Sequence, residues 1–422
     1  MRVIRFGICA LVAFSVLAHG GVEEWARAVL ETGAGLLLFA WAVWFYFHRE
    51  AQIVSSPLLY PLAAFAILVF GQLVFHTTAS RYTTFFEFLL LVSYLIVLFL
   101  AVQAFRTLED WRGFVWFGMG LGFFICIFGI LQHLTFNGKL YWVREMHYGG
   151  IPFGPFANRN HFAGFDELIL PLALVPLVLG RVRRERRAVV GLFAVLPVAA
   201  LFLSASRGGI VSFGAELFVL AFVIVFRRTA RKQLLAAASI VFAALLIVSW
   251  LGVGQILQRF STLQSLEATA GKRASMRRDT WHIFLDHPII GTGLGTLQIV
   301  FPPYESLFDG KIVNHTHNDY LEALSDTGIL GGLCCAWFLG VLFLRSLERS
   351  RQLNHSFPGA LQLSGLIGCC GFLVHSLVDF NLHIPSNALL FFLMAYLAVA
   401  NVEQPASSRT SSRHRLRSSR NQ

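Results

Sequence analysis

The sequence predicts an all-α polytopic membrane protein with about twelve transmembrane helices. Three observations carry that prediction. First, 56% of the 422 residues are hydrophobic, only 14% are charged, and 41 are phenylalanine, whereas soluble domains run near a quarter charged. Second, several apolar runs reach the roughly 17–25 residues needed to cross a bilayer as a helix. Helices are the natural spanning element, because no water is there to satisfy the backbone. Third, the period-2 alternation of a membrane barrel is absent. The mean hydropathy of +0.64 agrees.

The predicted spans, in order, are Val3–Ala18, Val29–Phe47, Leu58–Phe75, Phe85–Phe105, Phe114–Leu134 and Phe162–Leu179. Six more follow at Ala188–Leu203, Ile210–Phe226, Leu234–Trp250, Ile329–Leu344, Ala360–Leu377 and Ala388–Ala400. Arg2 and Arg5 beside the first run resemble a signal peptide, but in a chain full of further spans an uncleaved first helix is expected. Phe162–Leu179 is unusual in carrying two acids and two prolines.

The formal charge is +11, which could suggest nucleic acid. Its placement excludes that reading. Basic clusters fall between apolar runs, at Arg181–Arg187, Arg227–Lys232 and Arg345–Arg351, with more arginines from Arg409 to Arg420. Lys and Arg held on the cytoplasmic side give this pattern. With a cytoplasmic N-terminus and strict alternation, every cluster lands inside, as does the tail. Residues 1–403 therefore form the membrane domain, and 404–422 a basic, disordered cytoplasmic tail that rests on anionic lipid. All six cysteines lie within apolar runs, without zinc or disulfide spacing.

The same alternation puts four polar segments outside: Thr135–His161, Ser204–Gly209, the long Leu251–Gly328 and Val378–Ser386. Long loops on a rigid scaffold are where sites tend to be built. The richest stretch runs from Asn314 to Glu322 and on to Gly331. His315 and His317 there suit either a metal, with Asp319 or Glu322 adding oxygen, or a neutral imidazole as general base. The base is preferred, since a metal sits awkwardly among so many arginines.

Arg207 lies at an outer mouth in Ser204–Gly209, where a membrane-edge arginine marks a site or a snorkelling end. The glycines beside it would leave N–H groups free for an anion. Arg273, Arg277 and Arg278 precede Trp281, Phe284 and Leu285, the apolar side of a helix suited to lie on the outer leaflet. Arginine forks match phosphate oxygens. The glycine run Gly291–Gly295 lacks the lysine and strand context of a nucleotide loop. Asn160 and His161 lead into the acids Asp166 and Glu167, while His375, Asp379, Asn381 and His383 cluster between the last two spans.

Together these describe an outward-facing site of arginines, amides and a candidate base above apolar helices. A lipid-linked substrate with a phosphate head would fit it. The motifs Ser206-Arg-Gly208, Arg277-x-x-x-Trp281, His287-Pro-x-x-Gly-x-Gly-x-Gly295 and His317-Asn-x-Tyr-Leu with Gly328 resemble the O-antigen ligase superfamily. That superfamily includes O-antigen ligases, some polymerases and protein O-oligosaccharyltransferases. The resemblance runs from about Phe156 to the end.

The resemblance implies a C-type glycosyltransferase fold in the bacterial inner membrane, with its active site at the periplasmic face. It implies inverting transfer of a glycan from undecaprenyl pyrophosphate to an acceptor hydroxyl, such as one on lipid A-core, another glycan or a protein, with no metal and no cofactor. His317 would be the base. Arg207 and Arg277, or Arg278 one register step away, would hold the pyrophosphate. Asn160, His161, His315, Asn318, Tyr320 and Asp379 are candidates for contacting the substrate or supporting those that do. Surface polysaccharide ligation leads, with polymerisation and protein glycosylation beside it. A reading from another class, a transporter of the lipid-linked glycan, would favour broken helices in two matching halves.

Overall fold

The computed structural model describes residues 1–145, 151–226, 230–261, 263–308, 310–352 and 356–402. The predicted tail at 404–422 and the arginines 227 and 228 lie outside them. Fourteen α-helices follow one another among the described residues. The first six are α1 (Arg2–Leu17), α2 (Glu24–Phe47), α3 (Leu59–Val74), α4 (Arg81–Ala104), α5 (Leu108–Leu134) and α6 (Arg159–Val178). The next five are α7 (Arg187–Ser204), α8 (Arg207–Phe226), α9 (Ala230–Ser261), α10 (Leu263–Asp286) and α11 (Leu297–Val300). The last three are α12 (Asp319–Gln352), α13 (Phe357–His375) and α14 (Pro385–Val399).

A helix stands at each of the twelve predicted spans. Nine are long and apolar enough to cross a membrane, while α3 and α14 are apolar but shorter, and α1 has 16 residues. The protein is an all-helical polytopic membrane protein. Large side chains left bare support this: Phe6, Phe39, Phe47, Ile67, Phe218 and Trp250 are all exposed on the helical bundle, a surface that water would not tolerate at this extent.

Local chemistry sets the helix starts. Thr107 and Asp110 form a reciprocal capping box at α5, Ser80 caps α4, Asn158 caps α6 and Ser356 caps α13. Each side chain accepts from a backbone N–H that the helix itself cannot pair.

Helix α6 is the centre. Residues from Phe162 to Pro176 are buried without a break, and α5, α7, α8, α13 and α14 pack around it. Pro171 and Pro176 sit inside it, where neighbouring helices make such breaks tolerable. Asp166 and Glu167 are buried in this core, and Glu167 Oε1 meets His375 Nδ1 of α13 at 2.8 Å. An acid at this depth needs such a partner.

Two predicted bounds are corrected. The ninth span does not stop at Trp250, because α9 runs on to Ser261, and the helix expected around Arg277–Leu285 fills Leu263–Asp286 as α10. Met276 and Ile283 of α10 bury against Leu297, Phe301 and Val313 in a small satellite core. Trp281 and Leu285 stay exposed on the other side, as the sequence expects of a helix lying on lipid. The second correction concerns α12, which starts at Asp319, ten residues before the predicted span. Asp319 to Thr327 are polar in sequence yet helical, with Asn318 Oδ1 accepting from Leu321 N at 3.0 Å at their start.

The two halves of α12 are separated at Gly328 (φ 63, ψ −166), a conformation that is essentially glycine's alone. The break lets Ile329 N and Leu330 N donate to Pro288 O and Ile289 O. The Gly291–Gly295 turn then locks against the first half. Its five N–H groups donate to His287 O, Ser325 O, Asp326 O, Gln72 Oε1 and Asp326 Oδ2. With every donor used internally, this glycine run is a structural joint and not a phosphate loop, as its sequence context already argued.

Gly328→Ala is therefore expected to be strongly destabilising. The backbone conformation alone costs about 1–3 kcal/mol for a residue with a Cβ, and that Cβ would collide with the Ile289 backbone. Gly120→Ala on α5 meets nothing within 4 Å and should be neutral or slightly stabilising. Thermal unfolding in detergent checks the pair; equal melting temperatures would contradict the joint.

Candidate active site

The polar ends of α6, α8, α12, α13 and α14 converge. His317 is the last but one residue before α12 and has φ 53, a left-handed conformation that costs a non-glycine residue of order 1–3 kcal/mol. Its flanks hold it there. Thr316 N donates to Glu322 Oε2 at 3.0 Å, Thr316 Oγ1 donates to Asn318 O at 3.0 Å, and Asn318 Nδ2 donates to Leu377 O at 3.1 Å. Asp319 N donates to Ser376 O, and Tyr320 Oη donates to Leu373 O at 2.7 Å. Asn318 and Tyr320 thus tie α12 to α13.

His317 Nδ1 lies 3.1 Å from Asp379 Oδ1. An ionised carboxylate only accepts, so Nδ1 carries a proton, and in the neutral ring Nε2 is then the nitrogen with the lone pair. That is the tautomer a general base needs. Asp379 is buried and its Oδ1 also accepts from Phe380 N at 3.0 Å. Asn160 Nδ2 donates to its other oxygen, and Ser206 Oγ donates to Asn160 Oδ1 at 2.9 Å. Burial alone would raise the Asp379 carboxyl. The hydrogen bond and charge of His317, with the charges of His161 and His375, instead hold it well below the usual carboxylate range. It stays ionised at neutral pH.

Phe380 is the hub around which three histidines gather. The His161 ring meets it edge-on at 4.8 Å, the His317 ring edge-on at 4.9 Å, and the His315 ring stacks on it at 4.3 Å. His315 and His317 are two residues apart in sequence but meet different carboxylates. His315 Nδ1 lies 2.7 Å from Glu322 Oε1, away from Asp379. His383 bridges two acids, with Nδ1 2.9 Å from Asp319 Oδ1 and Nε2 3.2 Å from Glu322 Oε1. Burial opposes charge on His383, but Glu322, and then Asp319 by hydrogen bond and charge, push its pKa up to about 10.

The arginines divide. Arg207 is the first residue of α8 and directly follows Ser206, so it stands beside the Asn160–Asp379–His317 chain. Gly209 N donates to Ser206 Oγ at 3.2 Å, so that glycine N–H is not free for an anion as the sequence suggested. On α10, Arg273 Nη1 donates to Val378 O at 3.1 Å, next to Asp379. Arg277 is one turn along the same face. Arg278 points elsewhere, to Ser306 Oγ at 3.1 Å.

Sequence reasoning paired His317 with no carboxylate outside its own segment, weighed Glu322 only as a metal ligand, and did not select Ser206, Phe380 or His383 as site residues. The contact between His317 and Asp379 joins positions 62 apart, and that between Asn160 and Asp379 joins positions 219 apart. Local spacing carries no sign of either. The one available signal was density: His375, Asp379, Asn381 and His383 crowd into nine residues between two apolar helices.

The O-antigen ligase family model matches residues 192–336. The matched stretch holds Arg207, Arg277 and His317, while Asn160 and Asp379 lie outside it and reach the site through the fold. The chain is also 25% identical over 358 residues to the teichuronic acid biosynthesis protein TuaE of Bacillus subtilis (strain 168). That alignment covers 79% of this chain and 65% of the relative, so the chain spans just under two thirds of the length of the curated protein it matches.

Proposed function

We propose that this chain is a membrane glycosyltransferase of the O-antigen ligase family. It moves a glycan from undecaprenyl pyrophosphate to an acceptor hydroxyl in surface polysaccharide ligation. The observation that carries the reading is the His317–Asp379 pair, which leaves Nε2 of a neutral His317 to accept a proton, at one end of an apolar bundle where Arg207 follows Ser206 of the same hydrogen-bond chain. In this reading Nε2 of His317 takes the proton of the acceptor hydroxyl. The oxygen attacks the anomeric carbon from the side opposite the phosphate, so the configuration inverts. The carbon–oxygen bond to pyrophosphate breaks, and undecaprenyl pyrophosphate leaves with both electrons. Arg207 and Arg277 stabilise the charge on that leaving group, while the polyprenyl chain stays among the exposed apolar side chains.

The site then faces the periplasm from the bacterial inner membrane, with both termini cytoplasmic. A second reading, extension of a polysaccharide by the same chemistry, draws support from the relative's name, which attaches that protein to teichuronic acid biosynthesis.

The test uses purified protein in detergent with an undecaprenyl-pyrophosphate oligosaccharide and candidate acceptors. Glycan transfer should release undecaprenyl pyrophosphate stoichiometrically, and the accepting molecule separates ligation from polymerisation. Intact lipid-linked glycan crossing vesicles, with no acceptor used, would return the transporter reading instead. Among the arginines, Arg207→Ala and Arg277→Ala should each lower transfer strongly. Arg278→Ala should stay within about threefold of the parent, as ordinary surface changes do. Equal losses at 277 and 278 would undo the assignment of Arg277.

A further inference from the structure

We propose that His315, Glu322 and His383 form a binding site for one divalent transition-metal cation of the zinc class. The site is separate from the base and stands whether or not the transferase reading is right. His315 Nδ1 and His383 Nε2 lie 2.7 Å and 3.2 Å from the same oxygen, Glu322 Oε1. The three ligand atoms all fall within 4.8 Å of one another. Two imidazoles and a carboxylate around a common point, with a fourth position open, suit zinc and its neighbours better than magnesium or calcium.

The surroundings are those of a supported metal site. A ligating histidine usually donates its other N–H to a carboxylate, which fixes the ring and its tautomer. His383 Nδ1 does so to Asp319 Oδ1 at 2.9 Å. The second oxygen of Glu322 is itself held, by Thr316 N at 3.0 Å. His315 is braced by its stack on Phe380. Nε2 of His383 faces Glu322 Oε1 at 3.2 Å, so positive charge, carried by a proton or by a metal cation, lies between them. Two buried carboxylates, Asp319 and Glu322, call for the same.

The sequence argued against a metal by treating His315 and His317 as one pair beside arginines. The fold separates them, turning His317 to Asp379 and His315 to Glu322. A cation at His315, Glu322 and His383 would clamp the start of α12 to the turn between α13 and α14. Those two segments also carry His317 and Asp379, so the cation would brace the base without touching reactants.

The test uses the full chain, purified in detergent, stripped with a strong chelator and then titrated with Zn2+ or Co2+. One Zn2+ should bind per chain, and Co2+ should give the visible d–d bands of a four-coordinate site. His315→Ala, Glu322→Gln and His383→Ala should each abolish the bands, and Asp319→Asn should weaken affinity about 10–100-fold. His317→Ala should bind as the parent does. The parent's own stoichiometry keeps the test decisive if a ligand variant fails to fold. No stoichiometric Zn2+ in the parent means that protons hold the cluster together, and the proposal falls. Cobalt bands that survive His383→Ala would overturn it as well.

Discussion

Replacing His317 with alanine is expected to lower glycan transfer by about 10²–10⁴-fold, the range of a general base, without loss of folded protein. The expectation rests on one atom. Nδ1 is committed to Asp379, so Nε2 is the nitrogen left to accept the acceptor's proton. Alanine removes it and leaves nothing basic in its place. His317→Gln keeps a polar side chain but no base, and should lose as much. The fold should tolerate both changes, because the bonds holding this turn come from Thr316, Asn318 and Asp319 rather than from the His317 ring. The check is the rate of product formation at saturating donor, alongside size-exclusion profiles. Full transfer by a well-folded His317→Ala protein would show that the base lies elsewhere.

Asp379→Asn should lower transfer by about 10–100-fold, the value of a hydrogen bond to a charged group of roughly 1.5–3 kcal/mol. The loss is smaller than for a base because the geometry can survive. Phe380 N–H demands an acceptor at Oδ1, so the new amide keeps its oxygen there and facing His317. Asn160 can turn its own amide to match the new donor. What disappears is the negative charge that steadies the imidazolium formed when Nε2 takes a proton. Asp379 acts only through His317, so the double variant should be no slower than His317→Ala alone. Additive losses, measured as a double-mutant cycle on kcat/KM, would instead give Asp379 an independent contact with substrate. Asn160→Ala tests the next link and should cost less than Asp379→Asn.

The family reading and the site geometry reinforce each other unevenly. The matched residues 192–336 contain the histidine and the arginines, which a local pattern can represent. Asp379, in the turn between α13 and α14, and Asn160, on α6, lie outside that stretch, and only their hydrogen bonds bring them in. Arg273 lies within the matched stretch, and its bond to Val378 O draws α10 over the site. That bond also gives a reason to prefer Arg277, a turn further on, to Arg278.

Composition and apolar run length by themselves determined the membrane class and the position of each apolar helix of the bundle, because burial in lipid demands long, continuous, uncharged stretches that are plain in the chain. The motif around His317 and the arginines also determined which residues to suspect. Tertiary structure alone decided the rest. It set what the buried side of α10 packs on, since Met276 and Ile283 gain their burial from Leu297 and Phe301, which are not their neighbours in sequence. It made the glycine run a joint, because its N–H groups meet α12 and Gln72. It also divided His315 from His317. Two residues apart, they are indistinguishable by spacing, and only the carboxylates that the fold brings to each, Glu322 and Asp379, give them different chemistry.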